Sequence, residues 1–554
     1  MVLHWLINYG MKKKFEEKVS LAFSGDGGTS EGDFHEALNV AAVWDLPVIF
    51  VIENNGYGLS TPVNEQYRCE YLVDKARGYG IEGVKIDGNN ILEVYDTIRG
   101  VRAYCIKNKK PYLVECMTFR MRGHEEASGT KYVPKELFEE WGRKDPIKKF
   151  EQYLLNEKVI TEMQIADIRN EFKQYLEDEL AEAYKAKAMD VNTEEEVMDV
   201  YAGYGLRDTG YEIRDAGYEL NKPETRNSNL ATNHPETRFV DAISNALKLS
   251  MEKHENLVLM GQDIAEYGGA FKITEGFVQQ FGKARVRNTP LCESAIVGAT
   301  LGLSLEGFKS VMEMQFADFV TVGFNQIVNN LAKIHYRWGQ NADVVIRMPT
   351  GGGVGAGPFH SQSNEAWFTH VPGLKVVYPS TPYDAKGLLI AAINDPNPVM
   401  YFEHKALYRS INGPMPTDYY EVPIGKARLV KEGTDITVIT YGAGVHWATE
   451  YQENNPDTSL HILDLRTLLP LDYDAIRDAV QQTGKVLLLH EDTLTGGLGG
   501  EISAWIAEHC FQLLDAPVLR CASLDTPIPF NIELEKNFMA KSRLHETIQK
   551  LLSY

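Results

Sequence analysis

The chain is poor in cysteine and has no long apolar run. Its six cysteines lie far apart and include no Cys-x-x-Cys pair, so neither a disulfide framework nor a cysteine zinc site is indicated. No hydrophobic stretch approaches the length of a bilayer span, which argues against a membrane protein. There is no Walker A loop and no His-Glu-x-x-His. Positive charge is also in deficit: 77 acidic against 56 basic side chains leave a net charge of -21. That balance argues against nucleic acid as a main partner, because its phosphates would be repelled. Residues 1–10 are apolar but short, and Lys12–Lys14 follow them rather than precede them, the wrong order for a secretory leader. A cytoplasmic, reducing location is expected.

What is present fits a large multidomain enzyme of 554 residues, 44% of them hydrophobic. Residues 19–23 form a short apolar run, 24–28 read as a turn, and 31–44 carry helical spacing through Phe34, Ala37, Leu38, Ala41 and Ala42. Residues 47–52 are a second buried strand. Strand, crossover helix and parallel strand bring Ser24-Gly25-Asp26-Gly27-Gly28 beside Glu53-Asn54-Asn55-Gly56-Tyr57-Gly58 at the carboxyl edge of a sheet, where open α/β folds bind ligands. A carboxylate (Asp26) and an amide oxygen (Asn55) there suit a hard cation such as Mg²⁺ that shares its shell with phosphate oxygens. Gly27 and Gly28 allow close approach of backbone amides to a phosphate, at the positive end of the following helix. An ordinary βαβ unit accounts for either polar residue alone; the two together at this spacing favour a metal-diphosphate site.

The span from Gly25-Asp-Gly to Asn54-Asn55 resembles the signature of thiamine diphosphate enzymes. Residues 25–33 and 54–62 together resemble the α subunit of the decarboxylating first component of 2-oxoacid dehydrogenase complexes. The resemblance implies thiamine diphosphate and Mg²⁺ as cofactors. Asp26, Asn55 and the main-chain carbonyl of Tyr57 would hold the metal, with Gly25, Gly27 and Gly28 beside the diphosphate. In Phe119-Arg-Met-Arg-Gly-His124, His124 stands where the family has an active-site histidine serving the cofactor phosphates and lipoyl reduction, and Arg120 is its anion-binding neighbour. Many relatives carry a regulatory serine directly after that histidine; Glu125 stands there in this chain, so phosphorylation at that position is not available.

The second half carries a matching set. Asn288-Thr-Pro-Leu-Cys-Glu293-Ser lies between a strand-like run at 284–287 and a helix-like run at 295–305, and it resembles the β subunit of the same family. A lone Glu at a helix start is ordinarily a charge favoured by the helix dipole. The resemblance instead makes Glu293 the partner of the cofactor's aminopyrimidine ring, with Leu291 beside it. A carboxylate at that ring nitrogen favours the tautomer able to remove the thiazolium proton. Gln315-Phe-Ala-Asp-Phe319 also matches, with Phe319 where relatives often have tyrosine, so any hydroxyl hydrogen bond there is absent. His360, in Phe359-His-Ser-Gln-Ser363, occupies a second active-site histidine position, linked to decarboxylation and acyl transfer. A side chain titrating near neutrality suits proton delivery to an opening dithiolane. Gly351-x-Gly353-x-x-Ala356 fits a loose dinucleotide fingerprint, but Pro358 and His-Ser-Gln follow where a helix should open.

The expected fold is α/β: two doubly wound parallel-sheet domains of the thiamine diphosphate-binding type plus a transketolase C-terminal-like α/β domain. The boundaries read as 1–150 for the diphosphate and Mg²⁺ domain, 151–236 for a charged helical extension and linker, 237–410 for the pyrimidine-binding domain and 425–550 for the last. The expected activity is oxidative decarboxylation of a 2-oxoacid with reductive acylation of the lipoyl group on the acyltransferase component, in a homodimer. Branched-chain 2-oxoacids are favoured on the motifs above and on Phe402-Glu-His-Lys-Ala-Leu-Tyr-Arg409, with pyruvate or acetoin as alternatives. A thiamine-dependent carboligase, of transketolase or deoxyxylulose phosphate synthase type, shares cofactor and domain order. Only 25 residues precede Asp26, fewer than family α subunits carry there, so a truncated, inactive chain is a further alternative.

Overall fold

A computed structural model describes residues 18–124, 129–187, 193–203 and 234–554. The chain divides into two compact units at Glu196 and Val197. Among the described residues no helix is long and apolar enough to cross a membrane.

The first unit is built on a parallel sheet of four strands in the order Ser20–Gly25, Val48–Asn54, Tyr112–Met117, Glu82–Asp87. Val48–Asn54 sits inside this sheet, and its first five residues are all buried, which is why its sequence is continuously apolar rather than alternating. The helix Gly32–Val43 connects the first two strands and buries Phe34, Ala37, Leu38, Val40 and Ala41. Ile49, Val51, Ile86, Val101, Cys105, Val114 and Cys116 form the core on the side of the helix Ile91–Asn108. The charged stretch after the sheet is several helices: Pro146–Asn156 starts at an Asp145 cap, and Glu162–Ala183 starts at a Thr161–Gln164 capping box. Those caps break the amphipathic pattern at 157–161.

The described residues of the second unit form two large sheets and a two-stranded antiparallel pair, Glu236–Arg238 with Asn412–Pro414. The larger runs Thr467–Leu469, Lys375–Val377, Val399–His404, Val344–Thr350, Lys309–Glu313, Leu257–Gly261, Val286–Asn288. Its first strand pairs antiparallel and comes from the carboxy-terminal region, so that region covers what would otherwise be an open edge. Helices Phe239–Lys253 and Pro382–Asn394 cover one face through a core that includes Leu257, Val311, Val345 and Tyr401. The helix Glu293–Leu305 covers the other, where the Ser310 hydroxyl donates to Thr300 O at 3.3 Å. The smaller sheet runs Arg428–Lys431, Leu460–Asp464, Ile436–Thr440, Val486–Thr493, Leu519–Ser523, with only the first strand antiparallel. Strands read from sequence at 435–440, 460–465 and 485–489 are all present; the third continues four residues further, to Thr493. The α/β class with parallel sheets is therefore as expected.

Most of the expected linker (188–192 and 204–233) lies outside the described residues. Within it, residues 201–202 are fastened to the larger-sheet domain. Tyr201 Oη donates to Leu374 O at 3.0 Å, and Ala202 exchanges two hydrogen bonds with the Asn397 side chain, at 2.7 and 3.2 Å.

Candidate functional site

Gly25 lies opposite Glu53 in the parallel register, so Asp26 leaves one strand beside the end of the next, where Asn54 and Asn55 stand. Asp26 precedes a single 3-10 turn, Gly27–Ser30, and is 1% exposed. Its Oδ1 accepts the Asn55 amide at 3.4 Å, whereas Oδ2 is buried and has no hydrogen-bond partner among the described residues. Burial pushes the Asp26 carboxyl above its ordinary value, opposed by the Asn55 amide, its own amide and the Arg120 charge. An anionic oxygen in this state fits a bound cation, which would remove the desolvation penalty. A Cβ on Gly27 would stand 2.8 Å from Gly58 Cα, so the two turns meet backbone to backbone there, and one on Gly28 would stand 2.7 Å from the Ser24 hydroxyl of its own turn.

The two asparagines have separate work. Asn54 is buried, and its Nδ2 donates to Glu115 Oε1 at 2.7 Å and to Tyr67 Oη at 3.1 Å while its Oδ1 accepts the Gly56 amide. Asn55 is only half-buried, and its Oδ1 accepts the Tyr57 amide at 3.2 Å, leaving one lone pair for a ligand. Arg120 donates to Tyr132 Oη at 3.0 Å and to Leu59 O, and its Nη1 stands 3.5 Å from His124 Nδ1. The Tyr57 ring lies edge-on to Tyr132 at 5.7 Å. The structure thus brings Gly25, Asp26, Gly27, Gly28, Asn55 and Tyr57 into one pair of turns, with Arg120 and the exposed His124 reached through Leu59 and Tyr132. Glu125 lies outside the described residues. Among the described residues no group of three or more His, Cys, Asp or Glu is placed to hold a metal. A single carboxylate plus an amide oxygen suits a cation that takes its remaining ligands from phosphate and water.

In the second unit Glu293 is the first residue of its helix and is buried at 9% exposure. Its Oε1 accepts from Gln262 Nε2 at 2.9 Å, and Gln262 Oε1 is itself buried without a partner among the described residues. Gln262 follows the strand Leu257–Gly261, whose pairing with Val286–Asn288 sets Gly261 opposite Asn288. Leu291 is 81% exposed, and Gln315 donates to Asp263 Oδ2 at 3.2 Å. His360 is boxed by two rings nearly perpendicular to its own: Phe316 at 4.9 Å and Phe319 at 5.6 Å. Asp318 Oδ1 accepts both the amide and the side chain of Gln362, at 3.1 and 2.9 Å, and so ties the segment after His360 to the Phe316–Phe319 turn. Phe319 also packs edge-on to Phe316, ring centroids 5.8 Å apart. Gln262, Phe316 and Asp318 were not singled out from sequence, although the last two lie inside the quoted Gln315–Phe319 motif.

Parallel sheets in both units, with a buried carboxylate beside a glycine turn in one and a buried helix-start glutamate in the other, define the class of the protein as α/β. Comparison with known proteins narrows the class. Residues 6–192 match the dehydrogenase E1 component family, 236–410 the transketolase pyrimidine-binding domain and 425–543 the transketolase C-terminal domain. The β subunit of 2-oxoisovalerate dehydrogenase from Bacillus subtilis (strain 168) is 49% identical over 306 residues, 54% of this chain and 94% of that one. The mitochondrial 2-oxoisovalerate dehydrogenase subunit beta 2 of Arabidopsis thaliana is 41% identical over 332 residues, 59% of this chain and 92% of that one. The pyruvate dehydrogenase E1 component subunit beta of the same Bacillus is 41% identical over 321 residues, 57% of this chain and 98% of that one. The chain belongs to the 2-oxoacid dehydrogenase E1 family and carries α-type and β-type regions in one polypeptide.

Proposed function

We propose that this chain catalyses oxidative decarboxylation of a 2-oxoacid and passes the acyl group to the lipoyl arm of an acyltransferase partner. The observation that carries the reading is the buried Asp26 Oδ2, without a partner among the described residues, beside Asn55 in a glycine turn of a chain that also buries Glu293. Asp26, the Asn55 amide oxygen and the Tyr57 carbonyl would hold Mg²⁺, with Gly25, Gly27 and Gly28 beside the diphosphate. When bound, thiamine diphosphate would supply the electron sink that accepts the carbon–carbon bonding pair as carbon dioxide leaves.

The chain's own groups do the rest. Glu293 holds a proton at the aminopyrimidine nitrogen, and Gln262 fixes the carboxylate's direction through its 2.9 Å hydrogen bond. His360, its ring set by Phe316 and Phe319, moves a proton at the reacting carbonyl and the lipoyl sulfur. The same phenyl rings exclude water there. Arg120 and His124 would take the negative charge of the cofactor phosphates, or of the thiolate released as the dithiolane opens. Leu291, Gln315 and Phe319 shape the ring pocket.

A branched-chain substrate, and hence 3-methyl-2-oxobutanoate dehydrogenase activity, is favoured by the 49% identity to the 2-oxoisovalerate enzyme's subunit against 41% for the pyruvate one. Pyruvate is the second reading because that relative also aligns along 98% of its length. A cytoplasmic homodimer completes the proposal. The test is reduction of a lipoylated acceptor or a dye by the full chain with thiamine diphosphate and Mg²⁺, offered 3-methyl-2-oxobutanoate, pyruvate or a ketose phosphate with an aldose acceptor. Branched-chain turnover above pyruvate turnover supports the proposal, and sugar-phosphate formation alone overturns it in favour of a carboligase.

A further inference from the structure

His360 follows a loop whose amides need partners. Gly351, Gly353, Gly355 and Gly357 all have φ between +69° and +85°, the left-handed region, so the amides of this stretch turn inward on a tight coil. Such runs of amides form a concavity that favours a negative charge. Here the protein supplies the charge from its carboxy-terminal region. Glu535, 3% exposed, accepts the Gly353 amide at 2.9 Å and the Gly355 amide at 3.0 Å. Glu491 accepts the Gly352 amide at 2.6 Å.

The contact is also steric. A Cβ on Gly352 would stand 2.5 Å from Ile528 Cδ1, and one on Gly357 2.4 Å from the Phe530 ring. Glu535 sits on the short helix Ile532–Phe538, whose start is fixed by Asn531 Oδ1 accepting the Glu533 and Leu534 amides. The loop then closes directly onto the histidine, because the His360 amide donates to Gly357 O at 3.3 Å.

We propose that Glu535 is a positioning residue for His360: its carboxylate fills the amide concavity of the Gly351–Gly357 loop and so fixes where the imidazole stands between Phe316 and Phe319. The inference rests on the role given to His360 above, and it assigns the carboxy-terminal region a part in the reaction. Glu491 contributes to the same seat, but it also pairs with the buried His404, so Glu535 is the cleaner probe.

The experiment uses the full chain and two readouts. Glu535→Ala is expected to raise amide hydrogen exchange over residues 351–360 while other segments keep their protection. It should also lower kcat on the order of tenfold or more with KM little changed, because small misplacement of a reacting group is costly. Glu535→Gln, which keeps one oxygen acceptor, should restore part of the loss. Glu535→Asp keeps the charge with a shorter reach and should show the alanine pattern more weakly, and it serves if the alanine variant does not fold. In a His360→Ala background the Glu535 substitution should cost little more, since the two act through one geometry. Unchanged exchange over 351–360, or an equal fold-loss with and without His360, overturns the proposal. If the unmodified chain decarboxylates no 2-oxoacid, the reading of the reaction falls, and the exchange data still decide whether Glu535 seats the loop.

Discussion

At the residue scale, the two carboxylates that define the proposed site are set up oppositely. Asp26 is buried with one oxygen unsatisfied, so the metal-free fold carries a penalty for its charge. Asp26→Asn should therefore leave thermal stability without metal unchanged or raise it by about 1 kcal/mol, because a neutral amide is cheaper to bury. The same change should weaken Mg²⁺-dependent binding of thiamine diphosphate by on the order of a hundredfold, by loss of the charged ligand. Calorimetric titration alongside a melting curve reads both effects, and a fall in both stability and affinity would contradict the role. Wild-type affinity for Mg²⁺ should also decline as pH falls through the raised Asp26 value, since protons then compete for the oxygen. Glu293, by contrast, has its partner in Gln262. Glu293→Gln is nearly isosteric and should spare the fold while removing turnover by about 10³-fold or more, the usual scale for losing a general acid–base group. Substantial remaining activity would refute the assignment.

At the element scale, the features that place the site follow from local pattern, whereas its supports do not. The apolar run Val48–Ile52 and the Phe34–Ala41 spacing announce strand and helix because burial on both faces, or on one stripe, dictates composition directly. The turn containing Asp26 was legible for the same reason. The division of labour between Asn54 and Asn55 was not, because it depends on Glu115 sitting 61 residues away on a neighbouring strand. Gln262 was silent as well: its value arises only when Leu257–Gly261 pairs with Val286–Asn288 and points the side chain at Glu293. Strand order, which no local window contains, decides such contacts. The strand Val486–Thr493 shows what this hides. Its Asp492 lies buried beside Glu491 and Glu365, and burial first, then the Glu491 charge, pushes its carboxyl up to about 6. Raised above the ordinary 3.8, the group binds more protons folded than unfolded, so its charge makes the protein less stable as pH climbs from 3.8 to about 6. Asp492→Asn mimics the protonated form and keeps an acceptor for the Thr493 amide. It should stabilise by on the order of 2 kcal/mol at pH 7.5 and by nothing below pH ~4, read by calorimetry at the two pH values. A stabilisation that persists unchanged in acid would assign the gain to something other than the carboxylate's charge.

At the scale of the whole molecule, one polypeptide carries what the relatives named above supply as separate subunits, since the 49% identical β subunit matches only 54% of this chain. The proposed reaction needs both Asp26 and Glu293, which one chain or two copies of it can supply. Most soluble homo-oligomers close by two-fold symmetry, and in the proposed homodimer each site would draw on both copies. Two inactive variants distinguish the cases. At a thiamine diphosphate concentration too low to fill the weakened Asp26→Asn site, Asp26→Asn and Glu293→Gln each disable every site when expressed alone. Mixed and allowed to exchange subunits, they form heterodimers in which, if sites are shared, one site of the two has both residues intact. With random exchange half of the dimers are mixed, so activity should return to about a quarter of wild type. If each site is completed within its own chain, every site keeps one defect and the mixture stays inactive. Recovery on mixing would show that the fused chain kept the shared architecture of a two-subunit enzyme, whereas silence, with exchange verified by mass-tagged subunits, would mean that fusion had brought each half-site under the control of its own polypeptide.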